Sequence, residues 1–407
     1  MLEIRNVQTV YGHRIDHCVE SDEHRVIEAD ALMLFPGLID PHVHFRVPGA
    51  EHKEDWITAA KAAIAGGVTT VFDMPNNQPA CTTLERIHDK TRLIEEQLKR
   101  AGLPLRYGLY LGADRDHLKE IERAKDKVVA LKIYMGSSTG GLLMEDRSSL
   151  EEAFRYAAAN DVLVAVHAED EHLIQLNHKK YELRTDAATH SLVRNSTVAA
   201  KAVELAIDLA KKQGARLYIV HTSTREELAL IRQAKREGLP VFAEAGPHHL
   251  FLNEGDYAHL GTKALVNPPL RQAKDNEALW EAIEDETIDT IGTDHAPHTL
   301  QEKMEPYGRA PSGFPSIELY FPLLLDAAQR GLLSLERIVS LTHTRPQEIF
   351  RTPPNKDVVL VDLARKKLVS DAALHTKAKW SPYAGRTLTG WPVYTILKGR
   401  MYEVDKL

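Results

Sequence analysis

Cysteine is nearly missing from this sequence. Only Cys18 and Cys81 occur in 407 residues, so neither a disulfide framework nor a cysteine-based zinc cluster can be built. The scarcity suits a reducing cytoplasm. No apolar run approaches the roughly 18–20 residues needed to cross a bilayer, so no membrane-spanning helix is expected. The opening MLEIRNVQTV lacks the basic-then-apolar pattern of a secretion signal. Excess positive charge is absent too. With 51 Lys and Arg against 58 Asp and Glu, the formal charge is −7, which argues against nucleic acid or an anionic membrane as the main partner. There is no internal repeat and no low-complexity stretch. Hydrophobic residues at 43% and charged residues at 27% give the balance of an ordinary globular protein.

What is plentiful is histidine, with 20 copies. A single histidine is more often a surface or hydrogen-bonded core residue than a ligand, so position has to sort them. The first 30 or so residues read as short strands, ending in the apolar run Ala31–Phe35 and then Pro36-Gly37. From about residue 36 onward, β-rich runs alternate with helical patterns. The strand candidates are VTTVFDMP (68–75), VVALKIYM (128–135), VLVAVHAE (162–169), RLYIVHTS (216–223), PVFAEAG (240–246) and TIDTIGTDH (287–295). Trp56–Ala65 reads as a helix closed by Gly66-Gly67. Ser149-Leu-Glu-Glu152 and Thr224-Arg-Glu-Glu227 have capping-box spacing at helix starts. Repeated β then α over this length predicts an α/β fold, a (β/α)8 TIM-like barrel over 36–349. No GxGxxG follows the first strand to recommend a doubly wound sheet. The segments DVVLVDLARKKLV and WPVYTILKGRMYEV have no long helix between them. Residues 350–407 are therefore expected to join residues 1–35 in a small β-sandwich domain.

Chemistry concentrates at strand ends. In His42-Val-His44-Phe-Arg46, residues i and i+2 of an extended strand point the same way, so His42 and His44 would project together. Alone, an HxH pair is common by chance. Lys132, His167, His221 and Asp294 add to it, each a polar residue in or closing an apolar run. An unpaired polar group is costly there, and barrel enzymes build their sites at that end. Any one could be a satisfied core residue, but all at equivalent places in the repeat point to a metal site. Lys132 has two readings. Its ammonium could snorkel to solvent, or a buried, deprotonated lysine could react with CO2 to give a metal-bridging carbamate.

The segments DPHVHFRVPG, TTVFDMPNN, LKIYMGSSTG, VHAED, HTST, VNPPLR and TDHAPH resemble, in this order, the signatures of the dihydroorotases, within the wider cyclic amidohydrolases. The tail SPYAGRTLTGWPVYTILKGR is similar to the end of that family as well. The resemblance implies a (β/α)8 barrel with a small β domain and two divalent metal ions, with zinc favoured by the donors. It implies that His42, His44 and Asp294 hold one ion, His167 and His221 the other, and a carboxylated Lys132 bridges both together with a hydroxide. Some relatives take a bridging aspartate from an Asp-Asp-Gly segment instead, where this chain has Gly136-Ser-Ser-Thr-Gly-Gly141. Substrate contacts are implied at Arg46, Asn76, Asn267, His298, Ser312 and Gly313. Arg46 could clamp a carboxylate, whereas either asparagine could equally be a turn residue. His248 and His249 are not used as ligands in the family and are expected to be structural. The irregular stretch 299–315 is expected to be a functional loop.

The implied reaction is reversible cyclisation of N-carbamoyl-L-aspartate to L-dihydroorotate in pyrimidine synthesis, by a cytoplasmic homodimer acting on a small molecule, with Asp294 as general acid and base. A hydantoinase or allantoinase is the nearest rival. Arg46 argues against it, because those relatives generally lack an arginine there. A non-catalytic assembly subunit on the same fold is the more distant rival. It would typically have lost ligands, and all six positions are filled here.

Overall fold

The computed structural model describes residues 1–138 and 141–407. Thr139 and Gly140, within the Gly136–Gly141 stretch singled out above, lie outside the described residues. Four strands, β1 (Leu2–Thr9), β2 (Arg14–Val19), β3 (Arg25–Glu28) and β4 (Met33–Pro36), come first. Eight follow: β5 (Leu38–Val43), β6 (Val68–Asp73), β7 (Arg106–Gly112), β8 (Ala130–Tyr134), β9 (Val164–His167), β10 (Leu217–Ile219), β11 (Val241–Ala245) and β12 (Thr290–Ile291). The last three are β13 (Val358–Leu368), β14 (Thr387–Leu397) and β15 (Arg400–Glu403).

Strands β5 to β12 pair in chain order, all parallel. A parallel bridge between Val43 and His295, with His44 N donating to His295 O at 2.8 Å, joins the end of the series to its beginning. Thr293 adds N and Oγ1 donors to the Asp40 carboxylate at 3.0 and 2.6 Å. The sheet is thus a (β/α)8 barrel. Its strands are covered on both faces, which is why they read as continuous apolar runs.

Local chemistry sets the elements. Asp55 caps the helix Trp56–Ala65 by accepting from Ile57 N and Thr58 N, and Gly67, at φ 77°, ends it. Thr224 and Glu227 form the expected capping box at the helix Arg225–Arg236. Ser149 does not start a helix. Asp146 caps Arg147–Ala159 by accepting from Ser148 N and Ser149 N, so Ser149 already lies in the first turn. The strand read over 287–295 shrinks to Thr290–Ile291, since the backbone leaves extended geometry at Asp294, φ 45°. β7 escapes the apolar pattern because Gly108 and Gly112 interrupt it.

The two ends of the chain share one seven-stranded sheet, ordered β15-β14-β13-β4-β1-β2, with β3 also on β1. It packs on the barrel through Phe35 against Phe321, rings 5.0 Å apart, and Thr395 Oγ1 donating to Ile64 O at 2.8 Å. The segment between β13 and β14 reaches further. Trp380 Nε1 donates to His298 O at 2.8 Å, and Thr376 bonds Glu54, whose carboxylate lies 3.4 Å from His295 Nε2.

Inside the barrel, the half away from the strand C-termini is an apolar plug of Ile39, Phe72, Tyr110, Ala130, Leu163 and Tyr218 around Phe350. The Phe350 ring lies 4.9 Å from both Phe72 and Tyr218. Among the described residues no helix is long and apolar enough to cross a membrane.

Candidate metal centre

The opposite end of the barrel is polar. His42 lies in β5 and His44 just beyond it, and both Nε2 atoms face Asp294 Oδ1, at 3.3 and 3.0 Å. These three ligand atoms lie within 4.8 Å of one another. A four-coordinate ion with bonds of about 2.0–2.1 Å spaces its ligands by roughly 3.3 Å, so the set fits a divalent metal. Asp294 sits three residues past β12 at φ 45°, a left-handed conformation that Asp tolerates better than most. Burial alone would raise its carboxyl, but the His42 and His44 imidazoles beside it hold it well below the usual range.

His167 ends β9 and His221 lies two residues past β10 at φ 39°. Their Nδ1 and Nε2 atoms are 2.9 Å apart, and the His221 ring is 5.4 Å from that of His42. Lys132 is the middle residue of β8 and fully enclosed. Its Nζ has no hydrogen-bond partner among the described residues, nor has His221 Nδ1. Burial pushes the Lys132 amine down to about 8, against the opposing pull of Glu244 and Asp294. Burial likewise keeps His44 down at about 4 and His221 well below the ordinary histidine value. Neutral imidazoles and an ionised carboxylate are the forms that coordinate metal, and burial eases the loss of the Lys132 proton.

Partners fix the imidazoles. His42 Nδ1 donates to Glu244 Oε1 at 2.8 Å and His44 Nδ1 to Asn76 Oδ1 at 2.8 Å, which leaves both Nε2 lone pairs facing inward. His167 Nε2 donates to Glu169 Oε2 at 2.9 Å. Burial would raise Glu169, yet Arg194 and His167 hold it at about 2. Glu244 also accepts from His221 N at 3.0 Å, and Gly292 is needed beside it because a Cβ there would collide with its carboxylate.

The remaining expected residues form one connected wall. Arg46, at φ 65°, donates Nε to Pro297 O at 3.1 Å, and its Nη2 lies 3.2 Å from His298 Nε2. His298 Nε2 lies 3.1 Å from Ser312 O, and Ser312 Oγ is 3.4 Å from His190 Nε2. His190 Nε2 in turn meets Asn267 Oδ1 at 2.8 Å. Gly313 N–H is engaged by Leu265 O, so only its carbonyl remains to face the site. Arg46, Asn76, His44 and Lys53 line a cleft of about 200 Å³. His248 and His249 stay outside this wall. Their rings meet at a tilt of 58° with centroids 4.3 Å apart, and neither His248 nitrogen has a partner among the described residues. The 299–315 stretch is irregular except for the short helix Leu300–Lys303.

The sequence reading missed Glu244, Glu169, Arg194, His190 and Lys53. Glu244 carried a usable signal, a lone carboxylate in the buried run PVFAEAG, which must be paired. His190 and Lys53 sit in segments without strand pattern and carried none.

Comparison with known proteins agrees with this geometry. A family model described as "Amidohydrolase family" matches residues 33–400. A protein named dihydroorotase from Halobacterium salinarum is 37% identical over 401 residues, 95% of this chain and 91% of its own. One of the same name from Bacillus licheniformis is 35% identical, covering 94% of this chain and 90% of the relative. Among solved structures, L-hydantoinase (dihydropyrimidinase) from Arthrobacter aurescens superimposes with a TM-score of 0.92 at 28% identity, over 98% of this chain and 95% of that one. D-hydantoinase from Thermus sp. gives 0.89 at 25%, over 100% and 96%.

Proposed function

The chain belongs to the amidohydrolase family, and on that premise we propose that it is a dihydroorotase, interconverting L-dihydroorotate plus water with N-carbamoyl-L-aspartate. It is a cyclic amide hydrolase acting on a small molecule, and family membership implies a metal cofactor. The observation that carries the substrate assignment is the buried guanidinium of Arg46, two residues beyond His44 and lining the same cleft.

His42, His44 and Asp294 would hold one divalent ion and His167 and His221 a second, with Lys132, carboxylated by CO2, as a further ligand. The histidine and carboxylate donors favour zinc. Bound there, the metal supplies Lewis-acid polarisation of the ring carbonyl and acidifies water. The chain's own groups do the rest. Arg46 takes the ring carboxylate with paired N–H donors and so fixes which face of the ring meets Asp294. Asp294, held ionised beside His42 and His44, accepts the proton of the attacking water and passes it to the departing ring nitrogen. Asn76 and Glu244 hold His44 and His42 with their Nε2 lone pairs toward the site.

The solved structures of hydantoinases favour a second reading, the same chemistry on a ring without a carboxylate. Arg46 separates the two. Dihydroorotate and hydantoin opening should be followed spectrophotometrically for wild type and Arg46→Ala. Losing a buried bidentate carboxylate contact is expected to lower kcat/KM for dihydroorotate about 100-fold. Faster turnover of hydantoin by wild type, or an Arg46→Ala enzyme that keeps its dihydroorotate activity, would sink the dihydroorotase reading.

A further inference from the structure

Lys53 lies at the rim of the Arg46 cleft, and the reaction above gives it no part. Its side chain is only 16% exposed. The ammonium is 3.0 Å from His298 Nδ1 and 3.0 Å from Glu302 Oε1. Glu302 is itself fixed, because its other oxygen accepts from Thr299 N and Oγ1 at 2.9 and 3.0 Å, closing the cap of the helix Leu300–Lys303. Lys53 is therefore held on one side by a carboxylate and pressed on the other against a buried imidazole.

An ammonium has donors and no lone pair. Its contact with His298 is a hydrogen bond only if Nδ1 is bare, which puts the ring proton on Nε2. Burial, with Arg46 and Lys53 alongside, keeps His298 well below the usual histidine range, so it carries that one proton and no charge. Nε2–H then points at Ser312 O, 3.1 Å away. The Arg46 Nη2 atom stands 3.2 Å from the same nitrogen. Arginine too is a donor without a lone pair, so these two groups cannot bond each other. With its proton given to Ser312 O, the His298 nitrogen offers Arg46 no lone pair, and Nη2 of Arg46, which lines the cleft, stays unclaimed by the imidazole.

Resting on the dihydroorotate reading, we propose that Lys53 is a positioning residue for substrate recognition: by donating to Nδ1 it holds His298 in the Nε2–H form, so that His298 gives its proton to Ser312 O and leaves Arg46 Nη2 free for the ring carboxylate. Without Lys53, His298 can take the other tautomer, and its bare Nε2 would accept from Arg46 Nη2 and compete with the carboxylate for it. Lys53→Met removes the donor, while Lys53→Arg keeps one.

The test pairs two readouts on the full-length, metal-loaded protein. Two-bond 1H–15N spectra of histidine-labelled protein report the tautomer, with the His298 signals identified by their loss in His298→Gln. The expected result is a bare Nδ1 and protonated Nε2 in wild type and Lys53→Arg, and a mixed or reversed pattern in Lys53→Met. Steady-state kinetics should show KM for dihydroorotate rising about tenfold in Lys53→Met with kcat within about threefold, and most of the loss recovered in Lys53→Arg. An unchanged His298 pattern in Lys53→Met, an unchanged KM, or a fall in kcat as large as the rise in KM would each overturn the proposal. Failure of wild type to open dihydroorotate would instead remove the dihydroorotase reading, and the spectra would still decide whether Lys53 sets His298.

Discussion

The two ends of the barrel interior are built from the same strands and obey opposite rules. Toward the strand N-termini, Phe72, Tyr110, Tyr218 and Phe350 interlock, and the polar atoms are paired: Tyr110 with Pro41 O at 2.7 Å, Tyr218 with Glu244 and Thr290 at 2.8 and 2.6 Å. Toward the C-termini, Lys132 Nζ and His221 Nδ1 are buried without a partner among the described residues, and Arg46, His221 and Asp294 all sit at positive φ. One end gains stability from packing, whereas the other holds polar groups and backbone in states that cost stability. A substitution should therefore damage stability or activity according to which end it touches.

The sharpest test of that division is Asp294→Asn. Removing the carboxylate that carries the proton should lower kcat at least about 1,000-fold. The melting temperature should fall only modestly, because Asn tolerates the left-handed backbone although the favourable contacts of the carboxylate with His42 and His44 are lost. A thermal melt run beside the turnover assay checks both halves, and a collapse in stability would erase the proposed contrast. Phe350→Ala is the mirror experiment. It should cost about 3–5 kcal/mol in urea unfolding, while kcat per folded molecule stays within about twofold. The smallest and most discriminating change is Glu244→Gln. Its carboxylate touches Tyr218 on one side and His42 and His221 N on the other, so it belongs to both ends. Metal affinity, titrated against a chelator, should weaken about tenfold. Stability should fall by about 1 kcal/mol, since the amide keeps one acceptor. A response in only one of the two measurements would assign Glu244 to a single end.

The contrast also explains what could be seen beforehand in the sequence. Strands buried on both faces announce themselves as apolar runs, so six of the eight were visible as such, and a polar residue inside a run is conspicuous for the same reason. That made His42, His44, Lys132, His167, His221 and Asp294 legible. β7 was hidden by its two glycines, and the helix Arg147–Ala159 began early because Asp146 rather than Ser149 caps it. The supporting shell was hidden for a different reason. His42 and Glu244 are 202 positions apart, Lys53 and His298 are 245, and His190 and Asn267 are 77. Residues that matter only through a distant partner leave no local periodicity to detect.

The Trp380 bond to the His298 carbonyl, with Thr376 on Glu54, bears on how the protein is made. Chains emerge from the ribosome N-terminus first, and early segments can fold before later ones exist. Here His42 is made well before Trp380, and the wall carrying His298 is not braced until residue 380 has cleared the exit tunnel. A nascent chain could therefore close its barrel and still lack the brace behind its substrate wall until that segment has been made.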